Sequence, residues 1–206
     1  HLSSAFFPEV MMCIARLRGM KYVVHFHLDV GPSGMFGKLF LVYKRFVWRP
    51  LLTNAAAVIA CAQDQVAILE KNYQVPPERI TVIPNAVSQD FFGEHERSAH
   101  PQEKLRLLSI GRLAQQKRLD RMINAFAKLT IPAELTIVGD GEKEEELRLT
   151  VSRLGLTNVV FAGKKNDEEM RGCHRTHDIF LITSEREGMP LAVLEAMAGG
   201  LPIIAT

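Results

Sequence analysis

The sequence is poor in the features that define several large classes of protein. Its 206 residues hold three cysteines, Cys13, Cys61 and Cys173, widely spaced and without a C-x-x-C pair. That excludes a disulfide framework and fits a reducing cytosol, so free thiols and a cytoplasmic protein are the expectation. The longest uncharged apolar run, Asn54 to Ala62, falls well short of the roughly 20 residues a membrane span needs. The opening HLSSAFFPEV carries no basic n-region of the kind a secretory leader shows. Neither sign of charge dominates: 25 Lys and Arg face 23 Asp and Glu, a net charge of +2, too balanced for nucleic-acid binding by bulk charge. No repeat at a fixed period and no low-complexity tract is present.

What the chain does have is a composition suited to a buried core, 47% apolar and 23% charged. Its small basic surplus is local, because residues 1–77 carry eight Lys and Arg against four Asp and Glu, whereas 101–206 carry fifteen of each. Short runs rich in Val, Ile and Leu alternate with stretches of helical period, the pattern of β-α units around parallel sheets. Strands are expected at Lys21–His27, Ala56–Ala60, Ile80–Ile83, Leu105–Ile110, Leu135–Val138, Val159–Ala162, Ile179–Ile182 and Pro202–Ala205. Helices are expected near 36–49, 63–73, 119–129, 142–154, 167–172 and 190–198. Residues 91–104, FFGEHERSAHPQEK, break the rhythm with Gly, Pro and dense charge. This places one α/β domain at 1–92, a linker at 93–103 and a second domain at 104–206. The chain starts at His1 and stops in the strand-like LPIIAT, so both domains are expected to be incomplete and the chain an internal fragment.

Two generic nucleotide motifs fail. Gly139 and Gly141 begin a G-x-G-x-x-G, but the sixth position is Glu144. The Gly163-Lys164 pair is followed by Lys165 and lacks the earlier glycine of a Walker loop. The acidic run Glu142, Glu144, Glu145 and Glu146 reads as the exposed first turn of a helix, where carboxylates suit the helix N-terminus.

Two other constellations are more specific. In EGMPLAVLEAMAGGLPIIA, Glu187 and Glu195 are eight apart, and Pro190 suits the first position of a helix. Glu187 then sits in a loop and Glu195 inside the helix. The free amides of the residues around Pro190 to Val193, Pro190 itself having no N–H, would face the space ahead of it, where phosphate oxygens bind. Leu191, Leu194 and Ala198, with Val193 and Met197, could supply the core face, leaving Glu195 either a ligand-facing or a plain surface residue. In SIGRLAQQKRLDRMINAF, a strand ends at Ile110, and Gly111 opens a loop that holds Arg112 and Lys117. Cations at the carboxyl end of such a strand are placed for an anionic ligand, although exposed loop charges are common.

Taken in order, GRLAQQK, LTIVGDGE, VVFAGK and SEREGMPLAVLEAMAGGLPIIAT resemble the donor-binding half of the GT-B retaining glycosyltransferases of family 4. Glu187 and Glu195 reproduce that family's E-x7-E signature. YVVHFHLD is similar to its strand ending in an active-site histidine, and RITVIPNAV to its I-x-N-G-V stretch. The resemblance implies an α/β protein of GT-B type, with two Rossmann-like doubly wound parallel-sheet domains. It implies a retaining, metal-independent transfer of a hexose-type sugar from a UDP- or GDP-sugar to a hydroxyl acceptor. By the same resemblance, Arg112 and Lys117 grip the donor diphosphate in place of a metal, and Glu195 accepts hydrogen bonds from the ribose. Glu187 lies at the sugar hydroxyls, with Gly111 and the Gly188, Met189, Pro190 and Leu191 backbone beside the phosphates, and His27 contacts the sugar or the acceptor. Arg118, Ala86 and Ser88 depart from the family's usual Gly, Gly and Asp. A nucleotide-sugar epimerase, or a nucleotide-binding piece without activity, is the rival reading.

Three side observations complete the picture. His25 and His27 share a strand face, but no third ligand follows at ligand spacing, so no metal site is expected. Cys173, His174 and His177 read as a polar surface turn. The segment 36–49 reads as an amphipathic helix with Lys38, Arg45 and Arg49 on one face, opposite Phe36, Phe40 and Val47. That basic face could rest on an anionic membrane surface.

Overall fold

The computed structural model describes residues 7–27, 37–92 and 104–206. The chain divides into two compact units, His1–Asn85 and Ala86–Thr206.

The first unit runs α1 (Phe7–Leu17), β1 (Val23–Phe26), α2 (Gly37–Tyr43), a π-helical stretch over Lys44–Trp48, α3 (Arg49–Thr53), β2 (Ala57–Ala60), α4 (Gln63–Tyr73) and β3 (Ile80–Val82). Its strands form a parallel sheet in the order β1-β2-β3. Phe26, Leu52, Val58, Leu69 and Tyr73 are buried together as its core. The helix expected over 36–49 is there, but the π-helical stretch widens its turn and changes the phase of its faces. Arg45 and Arg49 line one groove with the exposed Phe46; Phe36 and the side chains of Lys38 and Phe40 lie outside the described residues. Helix α1 has no counterpart in the sequence reading. Pro8 in its first turn and Gly19, left-handed at φ 65° just past its end, are the start and stop signals that mark it.

The second unit holds β4 (Leu105–Ile110), α5 (Leu119–Phe126), β5 (Ala133–Val138), α6 (Glu144–Arg153), β6 (Val159–Gly163), α7 (Asp167–Thr176), β7 (Ile179–Ile182), α8 (Leu191–Ala198) and β8 (Ile203–Ala205). All pairings are parallel, in the order β6-β5-β4-β7-β8. Adjacent strand residues point to opposite faces, and the core shows it. Leu107, Leu135 and Ile137 pack with Met122, Ile123, Phe126 and Leu147 of α5 and α6. Leu108, Val138 and Phe180 pack with Cys173 and Ala196 of α7 and α8. The sheet is therefore covered on both sides and doubly wound. From β4 the chain winds outward through β5 and β6, then returns to lay β7 on the opposite side of β4. That reversal is a topological switch point, where ligands bind in this architecture.

The division at Asn85 falls seven residues before the sequence boundary at 92. The short turn Gln89–Phe91 explains the shift: Asp90 lies 3.8 Å from Arg171, and the Phe91 ring packs 5.7 Å from His174, both on α7. Ser88, the departure from Asp, still caps this turn by accepting a bond from the Asp90 amide. The expected linker, 93–103, lies outside the described residues. No described helix is long and apolar enough to cross a membrane.

Candidate functional site

Two loops 70 residues apart in sequence meet at the carboxyl ends of β4 and β7. The Glu185 amide donates to the Gln116 carbonyl at 2.9 Å, and Gln116 Nε2 donates to the Arg186 carbonyl at 2.5 Å. Thr183 Oγ1, just past β7, donates to the carbonyls of Lys117 and Arg118 at 2.9 and 3.1 Å. These bonds bring Lys117 Nζ to 2.5 Å from Glu187 Oε1, with both side chains about three-quarters buried. The small pocket beside them is lined by Ser109, Gly111, Arg112, Lys117, Thr183 and Ser184, among others. Ser184 Oγ is buried there and finds no hydrogen-bond partner among the described residues.

Close backbone approach shapes the floor. A Cβ on Gly139, where φ is 135°, would lie 2.0 Å from the Gly111 carbonyl oxygen, so only glycine fits. The Leu113 amide bonds to the Asp140 carbonyl at 2.7 Å, tying the β4 loop to the β5 loop. Arg112 stands at the exposed rim, 3.1 Å from Glu142. The Glu142 carboxyl is held below its usual range by its own backbone amide, with Arg112 adding to this.

Arg118 occupies the position where the family resemblance leads one to expect glycine, and its backbone is left-handed, φ 48°. A guanidinium there must be tied down. It donates to both oxygens of Asp120 at 3.1 Å and also pairs with Glu185. The bond from Arg118 holds the Asp120 carboxyl below its ordinary range against the opposing effect of burial.

Glu195 lies on α8, and its Oε2 is 3.7 Å from His174 Nε2. Pro190 is the N-cap of α8 rather than its first residue, and Val193 donates its amide back to the Pro190 carbonyl. Helix geometry leaves the Leu191 and Ala192 amides as first-turn donors without an intrahelical acceptor. The core face of α8 also differs from expectation. Ala192, Val193 and Ala196 turn inward, while Leu191 and Met197 are at least half exposed.

Cys173, His174 and His177 are not a surface turn. His174 is 2% exposed, its ring between Phe91 and Phe180 at 5.7 and 6.2 Å, and neither of its nitrogens makes a hydrogen bond among the described residues. His177 bonds the Cys173 carbonyl at 2.7 Å and Thr136 Oγ1 at 2.9 Å. Burial lowers its pKa, outweighing the bond to Cys173. Met170 and Cys173 pack into the sheet from α7, and this apolar face was the sequence signal that the next residue, His174, lies close to buried surroundings.

The structure thus gathers Gly111, Arg112 and Lys117 at one pocket, pairs Glu187 with Lys117 beside it, and sets Glu195 3.7 Å from His174. His27 belongs to the first unit, just beyond β1, beside His25 and Cys61.

These observations define a class: a doubly wound α/β protein whose pocket, at the carboxyl ends of its switch-point strands, is built from paired charges. The family follows from likeness to known proteins. Residues 90–206 match the family described as glycosyl transferases group 1, and residues 1–91 match Glycosyltransferase Family 4. The chain belongs to the group 1 glycosyltransferases and has the GT-B fold. It is 29% identical to the putative glycosyltransferase EpsF of Bacillus subtilis (strain 168), over 99% of this chain and 56% of that protein. It is 34% identical to the amylovoran biosynthesis glycosyltransferase AmsK of Erwinia amylovora, over 64% of this chain and 34% of that one. The chain spans about half or less of the length of these relatives. Among solved structures, it superposes on Anabaena HepE in complex with UDP-glucose with a TM-score of 0.77 at 24% identity, covering 95% of this chain and 56% of that one.

Proposed function

We propose that the whole protein transfers a sugar from a nucleoside-diphosphate sugar to a hydroxyl acceptor, with retention and without a metal at the diphosphate. The observation that carries this reading is that Lys117 and Arg112 line the switch-point pocket of the second unit, with Glu187 paired to Lys117. Relatives named as glycosyltransferases, and a structural neighbour bound to UDP-glucose, support it.

The chemistry asks for these residue types. Cleavage of a glycosyl phosphate bond builds negative charge on the departing diphosphate, and fixed cations aimed at it lower the barrier. Lys117 and Arg112 are those cations, with the Leu191 and Ala192 amides as neutral donors. Before the diphosphate arrives, Lys117 is engaged by Glu187. Exchange of that partner for a phosphate oxygen frees the Glu187 carboxylate to accept bonds from the sugar hydroxyls. Glu195 then accepts from the ribose, and His27 contacts the sugar or the acceptor.

The test is calorimetric titration of the full-length protein with UDP and with GDP. Lys117→Ala and Arg112→Ala should each weaken the bound nucleotide at least about tenfold, or about 1.4 kcal/mol. Equal affinity in wild type and both variants would remove the diphosphate from this pocket.

A further inference from the structure

Three metal-binding side chains converge at the carboxyl edge of the first sheet. β1 and β2 pair in parallel, with His25 opposite Ile59 and Phe26 opposite Ala60; continuing that register sets His27 level with Cys61. Residues two apart share a strand face, so His25, His27 and Cys61 project to one side. Cys61 Sγ lies 3.3 Å from His25 Nε2 and 3.7 Å from His27 Nδ1, and the three donor atoms all fall within 4.8 Å of one another. In a tetrahedral site, bonds of about 2.3 Å to sulfur and about 2.0–2.1 Å to nitrogen put those atoms about 3.6 Å apart. The two observed sulfur–nitrogen distances bracket that value.

The surroundings hold the arrangement. Gln65 is 3% exposed; its Oε1 accepts from the Cys61 amide and its Nε2 donates to the His27 carbonyl, each at 2.8 Å. One buried amide thereby fixes the backbones of two of the three donors, the supporting arrangement common around metal ligands. The imidazoles are exposed and the sulfur is at the bottom, which gives an ion a path from solvent. The donor set is two nitrogens and one sulfur with no carboxylate, so it disfavours magnesium and calcium and suits a borderline-soft ion.

We propose that His25, His27 and Cys61 form a binding site for a divalent cation of the zinc class. The two imidazole nitrogens each give a lone pair. The thiol proton passes to the buffer as the sulfur–metal bond forms, and water completes the fourth position. The proposal shares His27 with the sugar-transfer reading, but its test reads metal binding alone, so the two can fail separately. It also revises the expectation drawn from ligand spacing: the third donor comes from the neighbouring strand, 34 residues after His27.

Cobalt(II) is the probe. Titrated into the metal-free full-length protein, it should bind one equivalent and develop a thiolate-to-cobalt charge-transfer band in the near ultraviolet, which one equivalent of zinc removes. Cys13→Ser should keep the band and Cys61→Ser should lose it. Absence of the band, or its survival in Cys61→Ser, overturns the site and leaves a hydrogen-bonded trio. Should Cys61→Ser fail to fold, His25→Gln changes an exposed ring instead. It should keep the wild-type circular dichroism and weaken cobalt at least about tenfold, and unchanged affinity overturns the proposal.

Discussion

The two units place their chemistry at the same kind of position, the carboxyl edge of a parallel sheet, but build it from opposite materials. In the second unit the edge carries ions. Lys117 meets Glu187, Arg112 meets Glu142, and Arg118 meets Asp120 and Glu185, around a switch point between β4 and β7. In the first unit the described strands follow sequence order, without a reversal, and the edge carries His25, His27 and Cys61. A switch point opens a crevice between helices on opposite faces, where an anionic ligand can enter and fixed cations are useful. In the first unit, pairing of β1 with β2 sets same-face residues of the adjacent strands beside one another. The supports differ accordingly: glycine and backbone contact in the second unit, one buried side-chain amide in the first.

That contrast can be broken experimentally, because the lone tryptophan, Trp48, packs against the first unit's core. Its fluorescence follows one unit, while far-ultraviolet circular dichroism follows both. The largest effect is expected from Gly139→Ala, whose new Cβ would sit 2.0 Å from a carbonyl oxygen. It should cost about 4 kcal/mol or more, in the dichroism transition of a urea titration more than in the fluorescence. Gly19→Ala in the first unit, left-handed but with nothing within 4 Å, should cost only about 1 kcal/mol. If the two alanine variants destabilise equally, close backbone approach is not what distinguishes the second unit.

Next in size is Gln65→Ala, which strips the partners from the Cys61 amide and the His27 carbonyl. A loss of about 2–3 kcal/mol is expected, visible chiefly in Trp48 fluorescence. A loss below about 0.5 kcal/mol would show that the first unit's edge needs no clamp.

The smallest effect depends on pH. Burial keeps His177 below its ordinary pKa of 6.5, so in the folded state it stays neutral where the unfolded chain is already taking up a proton. The unfolded state then binds more protons, and stability falls as pH drops below about 6.5, levelling off beneath the folded pKa. His177→Gln should flatten that slope in the dichroism transition and leave the Trp48 transition alone; an unaltered slope would assign the acid sensitivity elsewhere.

How much of this the sequence disclosed can be traced to particular residues. All eight strands lie where apolar runs place them, and α4 begins and ends on its expected residues, because such signals are local. Arg112, Lys117 and Glu187 stand in motifs whose spacing is itself local, and the structure brings Lys117 and Glu187 together. What escaped depends on packing between distant segments. Cys61 meets His25 and His27 through strand pairing, and Phe91 lies against the second unit's His174. Arg118 shows a third kind of limit. Its positive φ is invisible in its residue type, and the carboxylates that hold it lie 2 and 67 residues away.

The resting ion pairs around the switch-point pocket have a kinetic meaning. Lys117 with Glu187, and Arg112 with Glu142, each sum to zero charge, so their fields fall off more steeply with distance than that of an unpaired cation. If the pocket takes a diphosphate as proposed, that ligand would meet little long-range attraction from these pairs. On that reading, recognition would begin on contact, as an exchange of counter-ions. Discrimination among anions would then lie in how well each replaces two carboxylates at once, which a lone phosphate is poorly equipped to do.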